Sequence, residues 1–217
     1  MAEAQRVHVE VQGVVQGVGF RPFIFDLASR SGLSGWVLNT SDGVTLEVQG
    51  NGPQVDAFVR DFVQEAPPLA FIVEVQVANV VPIPGEDGFE IRASRALAQR
   101  SALLPPDVCI CDDCLRELLD PSDRRHRYPF INCTNCGPRY TIIHDVPYDR
   151  DKTSMASFAM CEACRREYED PRDRRFHAQP NACFACGPRM WLADAAGRSL
   201  VSEDPIRQAA AWLRNGK

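Results

Sequence analysis

Eight cysteines in four Cys-x2-Cys pairs constrain this chain more than any other feature. Cys111 and Cys114 are followed after 18 residues by Cys133 and Cys136; 24 residues later come Cys161 and Cys164, then after 18 again Cys183 and Cys186. The halves repeat with a period of 50 residues. The repeat reaches beyond cysteine, pairing Asp120-Pro121 with Asp170-Pro171, Asp123-Arg124-Arg125 with Asp173-Arg174-Arg175, and Gly137-Pro138-Arg139 with Gly187-Pro188-Arg189. Duplication accounts for such a pattern. Two Cys-x2-Cys pairs about 15–20 residues apart form a closed four-cysteine metal site. Each pair bends the backbone so that both thiolates face one ion, and the second pair completes a tetrahedron. Soft thiolate ligands favour two structural Zn2+ ions, with thiolate-bound iron as the rival. The repeat unit implies the sets Cys111, Cys114, Cys133, Cys136 and Cys161, Cys164, Cys183, Cys186; spacing alone also permits interleaved pairing. Cys109 has Ala159 at its repeat position and reads as a bystander thiol. His126 and His177 are offset by one residue in the repeat and read as surface groups or groups behind the ligands; His8 and His144 have no constellation around them.

The remaining composition excludes several classes. The 217 residues are 45% hydrophobic and 24% charged, enough apolar side chain for a sizeable core. No stretch of about 18 apolar residues occurs, so no membrane helix is expected. Met1 to Gln12 alternate instead of forming an apolar signal core. A reducing, cytoplasmic compartment is therefore expected, in which disulfides are the lesser alternative. The net charge is -5. Acidic and basic residues balance across the cysteine-rich part, a poor footprint for nucleic acid. Arg124, Arg125, Arg174 and Arg175 stand beside aspartates and read as solvated salt bridges.

No cysteine precedes residue 109, and the N-terminal part has a different pattern. Arg6 to Val11 alternates as a strand. A glycine-punctuated loop, Gly13 to Phe20, leads into a helix opened by Arg21-Pro22 and stopped by Gly32. Gly35 to Asn39 and Val44 to Gln49 read as strands joined by the turn Thr40-Ser41-Asp42-Gly43. A helix over Pro53 to Glu65, a strand over Ile72 to Val81 and a short edge strand at Gly88 to Ile91 follow. The order βαββαβ predicts an α+β, ferredoxin-like sandwich of two helices on an antiparallel sheet, followed by a small duplicated four-cysteine lobe. A glycine-rich turn entering a helix presents backbone N–H groups and a positive dipole end to an anion. Arg21, at the helix start, can pair bidentately with phosphate or carboxylate. Asn39 carries both a donor and an acceptor and can hold a water. The plainer reading makes the glycines a tight turn and Arg21 a surface charge.

The longer pattern Gly13-x-Val15-Gln16-Gly17-Val18-x-Phe20-Arg21, with Gly32-Leu33-x-Gly35-Trp36-Val37-x-Asn39-x-x-Asp42-Gly43, resembles the acylphosphatase family over residues 5 to 93. The resemblance implies that Val15, Gln16, Gly17, Val18, Gly19 and Phe20 cradle a phosphate with Arg21, and that Asn39 orients the attacking water. The catalytic pair is then Arg21 and Asn39, with no covalent nucleophile.

The cysteine spacing, Gly19-Phe20-Arg21-Pro22-Phe23, Asn135-Cys136-Gly137-Pro138-Arg139-Tyr140-Thr141 and Pro147-Tyr148-Asp149-Arg150 together resemble the N-terminal part of the HypF carbamoyltransferase family, which matures [NiFe]-hydrogenases. That resemblance implies hydrolysis of carbamoyl phosphate to carbamate and phosphate in this part. It further implies a YrdC-like domain, not among these residues, that uses ATP to adenylate the carbamate. A HypE-type maturation protein is then the acceptor whose carbamoyl group becomes a cyanide ligand. The alternatives are a stand-alone acylphosphatase with a zinc appendage and a non-catalytic zinc-ribbon interaction module. The expected organisation is an acylphosphatase-like domain at 1–95, a linker at 96–107, two fingers within 108–190, and a linker and helix at 191–217 leading into the absent domain. In that last part Asp204-Pro205 opens the helix and Gly216 closes it.

Overall fold

The structure, a computed structural model, describes residues 4–97 and 102–216. Residues 98–101 of the expected linker lie outside that description. Strand β1 (Ala4–Val14) carries Val7, Val9 and Val11 on one face, all buried. It pairs antiparallel with β3 (Val44–Asn51) and β4 (Phe71–Val80). β2 (Ser34–Asn39) pairs antiparallel with β3, and β5 (Phe89–Ile91) lies parallel to β2, giving the sheet order β4-β1-β3-β2-β5. Val7, Val9 and Val11 sit opposite Val48, Leu46 and Val44. Every second residue of both strands thus points to the same side.

Two helices cover that side. Helix α1 (Phe20–Arg30) buries Phe20, Ile24, Leu27 and Ala28, an i, i+4, i+7, i+8 stripe. Helix α2 (Gly52–Gln64) buries Val55, Phe58 and Phe62, with Asn51 capping the Gln54 N–H at 3.0 Å. The rings of Phe20, Phe58 and Phe62 meet in one cluster. Each such ring removed from water stabilises the fold by about 1.5–3 kcal/mol. The expected βαββαβ order and the short edge strand are both present, with boundaries moved by at most three residues.

The second lobe has little regular structure. Helix α3 (Asp112–Leu119) starts directly after Cys111, and α4 (Glu162–Glu169) directly after Cys161. The sequence reading left both of these short helices out. Their surroundings repeat bond for bond. Leu115 N–H donates to the Cys111 carbonyl as Arg165 N–H does to that of Cys161, and Arg127 N–H to Leu118 as His177 N–H to Tyr168. Arg127 and His177, fifty positions apart, both adopt positive φ, 59° and 54°. A short hairpin, β6 (Leu192–Ala193) with β7 (Ser199–Leu200), turns through Gly197. Helix α5 (Pro205–Arg214) is capped by Asp204, which also pairs with Arg127 at 2.8 Å. Among the described residues no helix is long and apolar enough to cross a membrane.

Candidate active site

The loop between β1 and α1 has the local features an anion site needs. Gly17 and Gly19 stand at φ 72° and 79°, the left-handed region that glycine enters without steric cost. Gly19 caps α1 with no side-chain acceptor, and the first turn of the helix carries no acidic residue. Among the described residues the backbone N–H groups of residues 15–20 meet no backbone acceptor outside regular structure. The loop and the N-terminal end of α1, the positive end of its dipole, border one crevice. Val15, Gly17, Gly19, Phe20 and Arg21 line it, as does Asn39 from the end of β2.

Gln16 and Val18 do not line the crevice. The Val18 side chain belongs to the hydrophobic core. The Gln16 side chain is buried and fully engaged: its Nε2 donates to the carbonyls of Thr40 and Gly43 at 2.7 and 2.8 Å, and its Oε1 accepts from Tyr148 N–H at 2.8 Å. Its role is to pin the loop to the β2–β3 turn and to the second lobe. At these two positions only the backbone remains for a phosphate.

Arg21 is 8% exposed. Its Nη2 pairs with Asp149 at 3.1 Å and its Nη1 donates to Ser94 Oγ at 3.3 Å. Asn39 is 1% exposed, and neither its Nδ2 nor its Oδ1 has a hydrogen-bond partner. A buried amide left unpaired costs about 1–3 kcal/mol, so a group retained there is one kept for a ligand or water.

The other wall of the crevice comes from the cysteine-rich lobe: Asn132, Thr134, Gly137, Tyr148, His177, Ala178, Gln179 and Pro180. The contact is close. A Cβ added at Gly17 would meet Pro138 Cβ at 2.8 Å and Tyr148 Cε1 at 2.9 Å, and one at Gly19 would meet Thr134 Cβ at 3.3 Å. His177 is thus placed at the crevice and belongs to neither cysteine set. Burial first, and the Arg21 charge second, push its imidazole down to about 4. It is neutral at pH 7. The sequence offered only a weak signal for it: position 177 is one of several at which the repeats differ, Arg127 against His177. Pro147-Tyr148-Asp149-Arg150 stood out as a motif, but nothing local placed it against Arg21.

The eight repeat cysteines gather into the two adjacent sets, each with its sulfurs within 4.8 Å of one another. Neighbouring sulfurs stand 3.6 Å apart for Cys111–Cys133 and Cys164–Cys186, 3.7 Å for Cys133–Cys136, and 3.8 and 3.9 Å for Cys161–Cys183 and Cys183–Cys186. A tetrahedron with metal–sulfur bonds near 2.3 Å has edges of about 3.8 Å. A disulfide would bring two sulfurs to about 2 Å. The donor set fits a four-thiolate ion, and the interleaved pairing is ruled out. Cys109 is exposed and outside both sets.

The repeat arginines correct the sequence reading. Arg125 and Arg175 are 2% and 3% exposed, not solvated. Arg124 donates to Cys164 Sγ at 3.3 Å and pairs with Glu167 at 2.6 Å, and Arg125 pairs with Glu167 at 2.5 Å. Reciprocally, Arg174 donates to Cys114 Sγ at 2.9 Å, and both Arg174 and Arg175 pair with Glu117. The neighbouring aspartates act locally instead: Asp123 and Asp173 accept from the backbone N–H of Arg125 and Arg175. Burial alone would raise the Glu167 carboxyl, but its hydrogen bonds from Arg125 and Arg124 hold it down at about 2.

Comparison with known proteins agrees with this geometry. The Acylphosphatase family matches residues 7–91, and the HypF finger family matches twice, over residues 110–143 and 160–193. An acylphosphatase of Anaeromyxobacter sp. is 46% identical over 79 residues, 36% of this chain and 84% of the relative. The chain belongs to the acylphosphatase family and carries two HypF fingers. Carbamoyltransferase HypF2 of Cupriavidus necator is 50% identical over 213 residues, 98% of this chain and 26% of that protein. A solved full-length HypF, in a phosphate- and nucleotide-bound form, superposes over 100% of this chain and 28% of its own with a TM-score of 0.91 and 47% identity. The chain spans about a quarter of the length of the HypF proteins it matches. The HypF N-terminal arrangement of acylphosphatase domain and fingers is the architecture described above.

Proposed function

We propose that the crevice hydrolyses carbamoyl phosphate to carbamate and phosphate, and that this is the first step of a HypF-type carbamoyl transfer. The loop N–H groups of residues 15–20 and the Arg21 guanidinium hold the non-bridging phosphoryl oxygens. Asn39 holds a water by its carbonyl oxygen and amide. That water attacks phosphorus in line, the bond from phosphorus to the acyl oxygen breaks, and carbamate leaves with both bonding electrons. The water's proton passes to the phosphate. The leaving carboxylate is a weak base, so the site needs positioning and charge stabilisation more than a general acid. The observation that carries this reading is Asn39, buried beside Arg21 with both amide atoms unpartnered.

Each finger holds one Zn2+ through its four cysteines, which fixes the lobe's shape where its apolar core is small. Reduced cysteine sets of this kind suit the cytoplasm. The same reading assigns adenylation of the carbamate by ATP to a YrdC-like domain outside these residues, and makes a HypE-type maturation protein the acceptor of the carbamoyl group. The test is phosphate release from carbamoyl phosphate by the purified chain, with Arg21→Ala in parallel. Release that disappears in the variant is expected; equal release by both would remove Arg21 from the site.

A further inference from the structure

The geometry points to the finger lobe as an acyl-group filter, admitting small acyl phosphates to the crevice and excluding aromatic ones. This rests on the reading that loop 15–20 binds the phosphoryl group. Held by that loop, with a water at Asn39, the phosphoryl group presents its acyl oxygen away from Asn39. An acylphosphatase without fingers has no second lobe against that loop. The Anaeromyxobacter relative is covered for 84% of its length by 79 residues of this chain, so it is too short to carry such a lobe. Here Thr134, Tyr148, His177, Ala178 and Pro180 wall the same crevice, and the proposal makes them the roof over the acyl group.

The roof is held down at two points that also hold the catalytic loop. Tyr148 N–H donates to Gln16 at 2.8 Å, and Asp149 pairs with Arg21 at 3.1 Å. The cavity between the walls is ≈ 20 Å³, room for about one water, so any acyl phosphate moves the roof and a larger acyl group moves it further. A carbamoyl group is planar and small, and modest side-chain shifts admit it. An aromatic acyl group must lift the roof, breaking the Gln16 bond and the Arg21 pair and so disordering the site it enters. His177 is the roof residue best placed to set the limit. It is only half-buried, no ring hydrogen bond holds it among the described residues, and it stands between the crevice and the outer pocket that contains Arg92 and Lys152.

The experiment uses non-hydrolysable acyl phosphonates, so binding is read without turnover. Calorimetry on the zinc-loaded chain should show acetylphosphonate binding at least about tenfold more tightly than benzoylphosphonate. His177→Gly shortens the roof at a backbone position where glycine is unstrained, φ 54°, and should reduce the difference to about threefold or less. Thr134→Ser trims only a methyl group from the residue that faces Gly19, keeps the hydroxyl bond to the Arg174 carbonyl, and should move the ratio in the same direction. It serves if the glycine variant loses its metal. Equal binding of both phosphonates by the parent overturns the filter and leaves the phosphate site standing. Binding of neither, or binding that survives Arg21→Ala, overturns the phosphate-site reading and the filter with it.

Discussion

The Arg21 guanidinium meets the Asp149 carboxylate at 3.1 Å, so the charge at the head of α1 is held by a residue 128 positions away in the finger lobe. On the proposed reading this arginine meets a phosphoryl group in one orientation, and it is tethered by the domain that covers it.

Asp149→Asn should therefore split the kinetic constants. The substitution removes a carboxylate that repels an incoming anion, so KM for carbamoyl phosphate falls. It also lets the guanidinium turn, so kcat falls about tenfold, roughly 1.4 kcal/mol. Steady-state kinetics of parent and variant read both effects. An unchanged kcat would show that Asp149 takes no part in orienting Arg21.

Asn39→Ala should lose about a hundredfold or more in phosphate release without loss of stability. The native amide is buried with both polar atoms unpaired, and removing it relieves about 1–3 kcal/mol of desolvation. Thermal melting beside the activity assay checks the pair of outcomes. A variant that melts far below the parent would mean the amide is structural.

Glu117→Ala should weaken both fingers at once. It strips Arg174 and Arg175 of their shared partner, and Arg175 is nearly fully buried. Leaving such a charge uncompensated costs about 3 kcal/mol or more. Arg174 also bonds Cys114 Sγ, so the damage reaches the first cysteine set from the second repeat. Chelator-driven metal release followed with a colorimetric indicator should show both ions leaving faster. Acceleration at a single site would reject the coupling.

Acid should destabilise the covered site through His177. Its folded value lies near 4, below the ordinary 6.5, because burial and Arg21 disfavour the imidazolium. The unfolded chain therefore takes up this proton first, and stability present above pH 6.5 is lost as pH falls from there towards 4. The full loss is on the order of 3 kcal/mol. Denaturant melts across that window should show a shallower slope for His177→Asn, a residue that tolerates positive φ. An identical slope would mean His177 does not titrate as placed.

The first domain was legible because its signals are local. Alternation in Arg6 to Val11, the Asp-Gly turn at Asp42-Gly43 and the apolar stripe of α2 each lie within one element. The cysteine sets were legible because a repeat of 50 residues restricts their pairing. The covering of the site was not legible. Gln16 to Tyr148 and Arg21 to Asp149 are contacts between distant segments, and no periodicity reports them. The arginines misled for a similar reason: Asp123 beside Arg125 looks like an ion pair in sequence, whereas the aspartate closes its own turn and the arginine reaches the other repeat. What the Gln16 side chain does was not legible either, because a motif marks a position without saying whether side chain or backbone does its work.

The reciprocal arginine contacts have a consequence for how such a lobe can arise. Each finger offers its partner the same patch that it needs in return, Arg124 and Arg125 reaching Glu167 while Arg174 and Arg175 reach Glu117. That is the self-complementary contact of a two-fold homodimer, written here within one chain. One repeat by itself would leave a buried arginine and a carboxylate facing water and would find both partners in a second copy of itself. The duplicated lobe is in this sense a dimer whose subunits have been joined. The two halves now differ where Arg127 and His177 correspond, His177 lining the crevice and Arg127 pairing with Asp204 at the head of α5.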